Sequence, residues 1–363
     1  MIFSLFLILQ LACNDDVKIK SSNEFLTVTL HLNEKHQTIS GFGASDAWST
    51  QFVGSNWPMS KKTQIADWLF SLATDNENNP LGIGLTSWRF NLGAGSAYQG
   101  VSSNIEDEWR RAESFLNLDG SFNPQAHTGQ RWFLNAAKER GVNQFIAFVN
   151  SPPIFLTKNG KAYSSGGSSA NITSENYSKF STMLIRALDE IKNSHGISFR
   201  YLSPFNEPQW DWNGAGQEGS PWNNIEMSAM LKILNNDLVA SSHINTLIEI
   251  PEAAQLNFLY SGDLNSGRDD QVDAFFNPSN TSTYIGNISR VTKKVAGHSY
   301  FTTWPLTNFV ETRSKLNQKL GEYSTLGFEM TEYCPLENNA DIVGNGRDLG
   351  MDLALYGARV MHV

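Results

Sequence analysis

Cysteine is scarce in this chain: two of the 363 residues, Cys13 and Cys334, carry a thiol, and their contexts are unrelated. Two such residues give no disulfide framework of the kind that holds small secreted domains together. Hydrophobic residues make up 40% of the sequence and charged residues 17%, which is ordinary for a globular protein. A chain of this length can bury a large core, and we expect one large domain with short appendages.

Positive charge is also in deficit, with 27 Lys and Arg against 36 Asp and Glu, for a formal net charge of −9. Nucleic-acid binding depends on clustered basic residues that neutralise phosphates, so we expect no nucleic-acid partner. The seven histidines are dispersed without the paired spacing of a metal site, and no phosphate-binding loop or dinucleotide fingerprint is present. The sequence therefore predicts neither a metal nor a cofactor.

The chain opens on an apolar run, MIFSLFLILQLAC, which is too short for a comfortable membrane span and resembles the core of a secretory signal. The run ends at Cys13 and turns polar at once, as at a bacterial lipoprotein processing site. We predict a signal or lipoprotein-like segment and polar tether over residues 1–24, a candidate lipid anchor at Cys13, and a secreted or cell-surface location. The run lacks a basic start and has Gln10 where an aliphatic residue is usual, so a buried N-terminal strand is the alternative.

Short β-rich runs then alternate with helical patterns, which is typical of a βαβ architecture and an α/β fold. Residues 26–32 alternate apolar and polar side chains with period two, as a half-buried strand does, and precede the repeat. Seven predicted strands follow, at residues 38–43, 82–91, 144–150, 197–206, 246–251, 295–300 and 326–332.

The helices between these strands have recognisable ends. One helix is predicted to begin at Ser174. Another is predicted to end just before Gly141, which stands where a left-handed C-terminal cap belongs. Ser60 is predicted to cap a helix whose apolar face packs on the sheet through Ile65, Trp68, Leu69 and Leu72. A last apolar pattern predicts the helix after the seventh strand, without an eighth strand behind it: Leu349, Leu353, Tyr356 and Val360.

A sharp local signal ends the fourth predicted strand, in the sequence Ser203-Pro204-Phe205-Asn206-Glu207-Pro208. Pro208 cannot donate a ladder hydrogen bond and favours extended backbone before it, so the strand ends there and Glu207 projects from its carboxyl end. Barrel active sites lie at that end of the strands. Asn206 offers an amide for a substrate hydroxyl beside the acid. The alternative is a chance Asn-Glu-Pro at a strand-to-loop junction.

A second acidic position, Glu332, ends the seventh predicted strand. With period two, Phe328, Met330 and Glu332 share one face, and Glu329 and Thr331 share the other. If Glu332 points into the barrel, Glu329 points at the helices or the strand start, which makes Glu332 the better catalytic candidate. The alternative is a surface glutamate before a loop.

Two inward carboxyl groups at one barrel mouth are what glycoside cleavage requires, one as a neutral acid and the other as an anion. We expect burial and the neighbouring negative charge to raise the pKa of Glu207, and hydrogen bonds to keep Glu332 ionised. A separation of roughly 5 to 5.5 Å predicts retention of configuration through a covalent intermediate, and one above about 6.5 Å predicts inversion.

Four segments in this order resemble glycoside hydrolase family 30: QTISGFGASDAW at residues 37–48, Ser151-Pro152-Pro153, Asn206-Glu207-Pro208 and Thr331-Glu332-Tyr333-Cys334. The resemblance covers most of residues 25–363 and implies a (β/α)₈ TIM barrel beside a β-sandwich. It makes residues 25–36 the N-terminal strand of the sandwich and residues 37–363 the catalytic barrel. We expect the barrel to be truncated after strand seven and its helix: either the sequence is a fragment of a longer protein, or the barrel is open, with exposed sheet edges and low stability.

The same resemblance assigns catalytic roles, with Glu207 as the acid/base and Glu332 as the nucleophile of a retaining double displacement. Arg89 is expected to orient a carboxylate by a bidentate hydrogen bond, and Tyr300 to donate one to Glu332. The residues implied to line the sugar site are Asp46, Trp48, Arg89, Asn206, His298 and Tyr300.

Several of these residues have purely structural alternatives. Arg89 fits a structural salt bridge, Trp48 a core aromatic and His298 a satisfied polar core residue. The tryptophans after the acid/base either stack on sugar rings or pack their own loop, and Trp210 is the first candidate for stacking among Trp210, Trp212 and Trp222.

The predicted partner is a polysaccharide or oligosaccharide substrate. The segments GASDAW, TKNG and NEPQWDW resemble the endo-β-1,6-galactanase branch of the family. Alternatives in the same family are a β-1,6-glucanase, a glucuronoxylanase or a glucosylceramidase-like β-glycosidase. An alternative of another class is a non-catalytic surface glycan-binding protein. Replacing either glutamate would abolish turnover while sparing binding only if the protein is an enzyme.

Overall fold

A computed structural model describes residue 31 and residues 33–34, 38–241, 244–344 and 350–362. The predicted signal segment with Cys13 lies outside these residues, as does the predicted strand at residues 26–32 apart from His31, which is exposed. The chain divides into two compact units, Met1–Ser40 and Gly41–Val363. In the first unit a turn closes where the Glu34 N–H donates to the His31 carbonyl at 3.1 Å. The second unit carries the helices and strands described below.

Seven parallel strands form one curled sheet in the second unit, in the order in which they occur along the chain. Each strand pairs in parallel with the next. Such an arrangement is that of a (β/α)₈ barrel sheet, as the sequence predicts. The strands are β1 Gly43–Ser45, β2 Ser87–Asn91, β3 Gln144–Phe148, β4 Tyr201–Ser203, β5 Leu247–Ala253, β6 Val291–His298 and β7 Gly327–Glu332.

Helices lie between successive strands, as parallel pairing requires. Among the described residues no helix is both long and apolar enough to cross a membrane. The helices are α1 Ser49–Asn56, α2 Met59–Phe70, α3 Ser96–Gln99, α4 Thr128–Glu139, α5 Tyr177–His195, α6 Asn224–Ala240, α7 Gln271–Phe276, α8 Leu306–Gly321 and α9 Met351–His362.

The predicted strands agree with the structure except at the first. The predictions for β2, β3, β4 and β7 contain the observed strands, while β5 and β6 are displaced by a few residues. The prediction of 38–43 for the first strand was wrong, since β1 begins at Gly43. The apolar residues that prompted it, Ile39 and Phe42, are 56% and 49% exposed and belong to no strand.

The predicted helix ends have mixed outcomes. Gly141 follows α4 with φ of 93°, the left-handed conformation that was expected there. The helix predicted from Ser174 is α5, which begins at Tyr177 after a short 3₁₀ turn. The cap at Ser60 was wrong, because α2 begins at Met59 after Pro58, which favours helix starts through its own fixed φ. Only part of the α2 stripe packs on the core, since Trp68 is 55% exposed and Leu72 76%.

The last predicted helix corresponds to α9. It buries Tyr356 and Val360 against Phe309 of α8, as the spacing predicted. Leu349, the first residue of that pattern, lies outside the described residues.

Two register shifts near the carboxyl end of the sheet decide which side chains reach the barrel interior. Between β5 and β6, Pro251 pairs with Ala296 and Ala253 with Gly297, so Glu252 is an extra residue on β5. Between β6 and β7, Met330 pairs with Gly297 and Glu332 with His298, so Thr331 is an extra residue on β7. Such bulges re-aim side chains and are common next to active sites.

The bulge in β7 overturns the predicted division of faces. Thr331 donates a hydrogen bond to Glu252, and Glu329 is ion-paired with Lys294 of β6, while Met330 packs with Phe309 on the helix side. Strict alternation put Glu332 with Met330 and opposite Thr331. The extra residue instead lets Glu332 and Thr331 both turn towards the barrel interior.

Candidate active site

Two carboxyl groups face each other at the carboxyl end of the sheet, one after β4 and one at the end of β7. Glu207 and Glu332 each place an oxygen within 4.8 Å of the other and of a ring nitrogen of His298. This spacing agrees with the roughly 5 to 5.5 Å separation typical of retaining glycosidases and is well below the gap that leaves room for a water between the carboxyls.

Glu207 is held rigidly at the start of the loop after β4. Its backbone has φ of 47°, and its N–H donates to the Glu252 carbonyl at 2.9 Å. The Trp212 indole N–H donates to the Glu207 carbonyl at 3.0 Å. A non-glycine residue in the left-handed region persists where the surroundings over-determine it, which these two contacts do.

The carboxyl group of Glu207 is buried, with the residue 7% exposed, and its Oε1 accepts a hydrogen bond from His298 Nδ1 at 3.0 Å. Burial raises the pKa of Glu207, and the negative charge of Glu332 adds to the rise, although His298 and Arg89 oppose it. The balance is upward because burial makes the charged form costly, and a raised pKa suits a group that is to donate a proton.

Glu332 has the opposite environment. Tyr300 donates to its Oε1 at 2.9 Å, and Arg89 Nη1 donates to its Oε2 at 2.6 Å. Burial alone raises the pKa of a carboxyl group, but the charges of His298 and Arg89 and these hydrogen bonds outweigh it and lower the pKa of Glu332. The two carboxyl groups therefore shift in opposite directions, as was expected from the sequence.

Arg89 binds Glu332 through one nitrogen only, so the predicted bidentate contact was wrong. Its Nη1 reaches Glu332, while Nη2 donates to Asn206 Oδ1 at 3.2 Å and lies 3.5 Å from Glu252. The guanidinium also stacks on the Phe148 ring, 3.7 Å from its centroid. A planar fork held in this way can serve several acceptors at once, because its five N–H groups diverge.

His298 is fully buried between two carboxylates. Its Nδ1 lies 3.0 Å from Glu207 and its Nε2 3.1 Å from Glu252. Burial alone lowers the pKa of a histidine, but the charge of Glu332 and the hydrogen bonds to Glu207 and Glu252 raise the pKa of His298 to about 10. A ring protonated on both nitrogens has no lone pair for a metal, so the cluster favours an imidazolium over a metal ligand.

Asp46 lies just after β1 and is 1% exposed. Its Oδ1 accepts from the Asn91 N–H at 2.8 Å, while its buried Oδ2 has no hydrogen-bond partner among the described residues. Burial raises the pKa of Asp46 to about 7, against the hydrogen bond from the Asn91 N–H and the charge of Arg89. An unsatisfied buried oxygen beside Arg89 is suited to accept a hydroxyl from a bound sugar.

The tryptophans near the site differ in exposure. Trp222 is 1% exposed and packs edge-on against Phe205 at 4.8 Å, so it packs its own loop. Trp210 is half-buried and lies edge-on to the exposed Phe301 at 6.1 Å. Trp48 is also half-buried, directly before α1. Trp210 and Trp48 therefore keep aromatic surface that a sugar ring can contact.

Sequence reasoning missed Glu252, whose side chain the bulge in β5 directs towards the centre of the site. The residue is fully buried and its pKa is lowered to about 2, because Arg89 and His298 outweigh the effect of burial. A signal was present: residues 247–254 read LIEIPEAA, an apolar strand interrupted by two glutamates. Acids inside a buried strand are rarely solvated, so they mark paired or functional groups.

A curled parallel sheet with opposed carboxyl groups at its carboxyl end is the arrangement of the barrel class of glycoside hydrolases. The family model described as O-Glycosyl hydrolase family 30 matches residues 25–363. The chain therefore belongs to glycoside hydrolase family 30, as its sequence motifs indicate.

Two proteins are about one-third identical to this chain over the residues that align with it. An endo-beta-1,6-galactanase of Hypocrea rufa is 31% identical over 245 residues, which cover 61% of this chain and 50% of the relative. The crystal structure of a conserved exported protein from Bacteroides fragilis matches with a TM-score of 0.83 and 32% identity, over 90% of this chain and 67% of that one. The chain thus spans about half the length of the curated relative.

A more distant structure shares the fold. An endo-beta1,6-glucanase matches with a TM-score of 0.58 and 15% identity, over 84% of this chain and 60% of that chain. At 15% identity this similarity shows a shared fold only.

Proposed function

We propose that this chain is the catalytic barrel of a retaining glycoside hydrolase, with Glu207 as the acid/base and Glu332 as the nucleophile. The observation that supports it best is the pair of opposed carboxyl oxygens within 4.8 Å, with oppositely shifted pKa values. Glu332 is ionised and partly open to the cleft, with its side chain 28% exposed, whereas Glu207 favours the protonated form.

In the first step, a Glu332 oxygen attacks the anomeric carbon while the Glu207 carboxyl transfers its proton to the glycosidic oxygen. The bond between the anomeric carbon and that oxygen breaks, an alcohol leaves, and a glycosyl ester forms on Glu332. The hydrogen bonds from Tyr300 and Arg89 hold the attacking carboxylate in one orientation.

In the second step, water attacks the anomeric carbon and gives a proton to Glu207, which now acts as a base. The ester bond breaks, Glu332 leaves as a carboxylate, and the product keeps the original configuration. The exchange of roles follows from the charges: the Glu332 carboxylate raises the pKa of Glu207, and that contribution disappears while Glu332 is esterified.

The other residues around the pair are proposed to bind the sugar. Asp46 accepts a hydroxyl at its unpartnered oxygen, and Asn206, whose oxygen is held by Arg89, donates from its amide nitrogen. Trp48 and Trp210, which are only half-buried, are proposed to offer aromatic surface to sugar rings. Trp210 lies three residues after Glu207, so we assign it to the side of the departing group.

The proposed substrate is a β-1,6-linked galactan, cleaved internally. Support comes from the 31% identity to an endo-beta-1,6-galactanase, over a stretch that includes 61% of this chain. The likeness to a described exported protein supports secretion, which a polysaccharide substrate too large to enter a cell requires.

Substrate and stereochemistry are tested together by incubating the chain with β-1,6-galactan, β-1,6-glucan and glucuronoxylan and following the anomeric protons of the products by NMR. We expect β-configured oligosaccharides to appear first, from the galactan and much less from the other two. Faster cleavage of the glucan or xylan would reject the substrate, and α-configured first products would reject the mechanism. Binding of galactan without any cleavage would favour the non-catalytic reading.

Tyr300→Phe is expected to lower kcat by about 10- to 100-fold, since a hydrogen bond to a charged group contributes about 1.5–3 kcal/mol. The Tyr300 hydroxyl lowers the pKa of Glu332, so its loss raises that pKa and moves the acidic limb of the kcat/KM profile to higher pH. Tyr333→Phe is a matched control, because its ring lies 5.9 Å from that of Tyr300 and its hydroxyl contacts Thr303 instead. An unmoved acidic limb in Tyr300→Phe would show that the hydroxyl does not act on Glu332.

A further inference from the structure

Glu252 occupies the bulge of β5 and connects four other strands. Its Oε1 accepts from the Ser203 hydroxyl of β4 at 2.5 Å and lies 3.5 Å from Arg89 Nη2 of β2. Its Oε2 accepts from His298 Nε2 of β6 at 3.1 Å and from the Thr331 hydroxyl of β7. Its backbone carbonyl accepts the Glu207 N–H at 2.9 Å. One buried side chain and its backbone thus contact every strand that supplies the two proposed catalytic groups.

The contacts of Glu252 are made to the two residues that themselves hold the catalytic carboxyl groups. His298 donates to Glu207 with its other ring nitrogen, and Arg89 donates to Glu332 with its other terminal nitrogen. Glu252 is fully buried and both of its carboxylate oxygens already accept hydrogen bonds from protein groups, so it does not itself meet a substrate. Each chain of contacts runs from Glu252 through a cation to a catalytic carboxyl.

We propose that Glu252 is a positioning residue for the reaction, which holds His298 against Glu207 and Arg89 against Glu332 and so couples the acid/base to the nucleophile. This inference rests on the proposed function of the two glutamates. The left-handed φ of 60° at Glu252 is consistent with it, because such backbone strain is tolerated where the surrounding contacts require a particular side-chain direction.

The charge of Glu252 is one of several charges around His298 and Arg89. The test must therefore separate the effect of Glu252 from the effects of the other charged groups. Burial between like charges makes such groups titrate together, so removing one anion lowers the proton affinity of the remaining cluster. Several other titratable groups interact with these two cations, with Glu252 or with one another. They are Asp46 after β1, Arg89 on β2, Glu207 after β4, Glu249 on β5, Lys294, His298 and Tyr300 on or after β6, and Glu329 and Glu332 on β7.

Glu252→Gln keeps the size of the side chain and removes its charge. We expect both limbs of the kcat/KM profile to move to lower pH by about 1 unit, because the charge of Glu252 acts on Glu207 and Glu332 across an intervening cation rather than in direct contact. The basic limb moves because the proton on Glu207 is lost at lower pH, and the acidic limb moves because Glu332 ionises at lower pH. We also expect kcat at the optimum to fall by about 10- to 100-fold, as when an orienting partner of a site residue is removed.

Ser203→Ala is the matched control, since it removes one hydrogen bond to Glu252 and leaves the charge in place. It is expected to keep the wild-type pH profile. A purely structural role for Glu252 predicts that both variants lose stability and that neither moves a limb of the profile. That outcome would overturn the proposal.

A second measurement depends neither on turnover nor on whether the Glu252→Gln variant folds. The ¹⁵N shifts of the His298 ring, identified by their loss in His298→Asn, report its protonation between pH 7 and 11 in the wild-type chain. We expect an imidazolium that persists to pH 8 and above, because Glu252 and Glu207 flank it. A neutral ring at pH 8 would overturn the proposal. An imidazolium in a chain that cleaves no glycan would instead contradict the proposed function and leave the positioning contacts in place.

Discussion

Glu332→Ala is expected to reduce galactan hydrolysis by about 10⁵-fold, since loss of a covalent nucleophile removes the intermediate on which both steps depend. Galactan binding should remain, because the sugar-binding groups on the other strands are untouched. Hydrolysis is measured as released reducing ends, and binding by titration calorimetry. Mass spectrometry of the wild-type chain with a 2-fluoro glycosyl fluoride should show the glycosyl ester on the peptide that contains Glu332.

Glu329→Gln is the matched comparison, because Glu329 lies three residues before Glu332 on the same strand and is ion-paired with Lys294 of β6. Its activity should exceed that of Glu332→Ala by several orders of magnitude. If the two variants were equally impaired, or if the label were found on a different peptide, Glu332 would not be the nucleophile.

Glu207→Ala is expected to lose about 10²- to 10⁴-fold in activity on galactan, the usual contribution of general acid catalysis. The loss should be much smaller with a dinitrophenyl glycoside, because a good leaving group departs without protonation. Azide should restore activity with that substrate and yield a glycosyl azide of unchanged β configuration, since the small anion can enter the space of the missing carboxyl group. These three results together identify the residue that protonates the leaving group.

A different pattern would assign another role to Glu207. Equal losses on galactan and on the dinitrophenyl glycoside, without azide rescue, are expected if the residue only maintains the fold around His298. Gln209→Ala is a useful comparison two positions further on, because the Gln209 side chain is buried and binds Gln271 and the Ala254 N–H. That variant should lose stability without any dependence on the leaving group.

Local signals in the sequence were sufficient for the repeat of strands and helices and for the two glutamates. Pro208 ends the extended segment, so Glu207 had to project at the carboxyl end of its strand. Parallel strands present these ends at one edge of the sheet, which is why Glu207 and Glu332 meet although 125 residues, 332 − 207, separate them. Family membership followed from the same motifs and agrees with the match over residues 25–363.

The first strand and the cap at Ser60 show where local signals were misleading. The apolar residues Ile39 and Phe42 predicted a strand but are exposed. Pro58 precedes the first residue of α2, so the helix begins before Ser60. Both patterns occur in many contexts, and packing against neighbours decides among them. Trp222 was a sugar-stacking candidate from its position, and only its burial against Phe205 excluded it.

What the sequence by itself determined is the family and the position of two glutamates at the carboxyl ends of two parallel strands, in a barrel of family 30. What only the tertiary structure decided is how those groups are held. The bulges in β5 and β7 each insert one residue, and a one-residue shift turns a side chain to the opposite face of a strand. Glu252 and Thr331 reach the interior for that reason, because pairing with a neighbouring strand, rather than local periodicity, determines where a bulge lies.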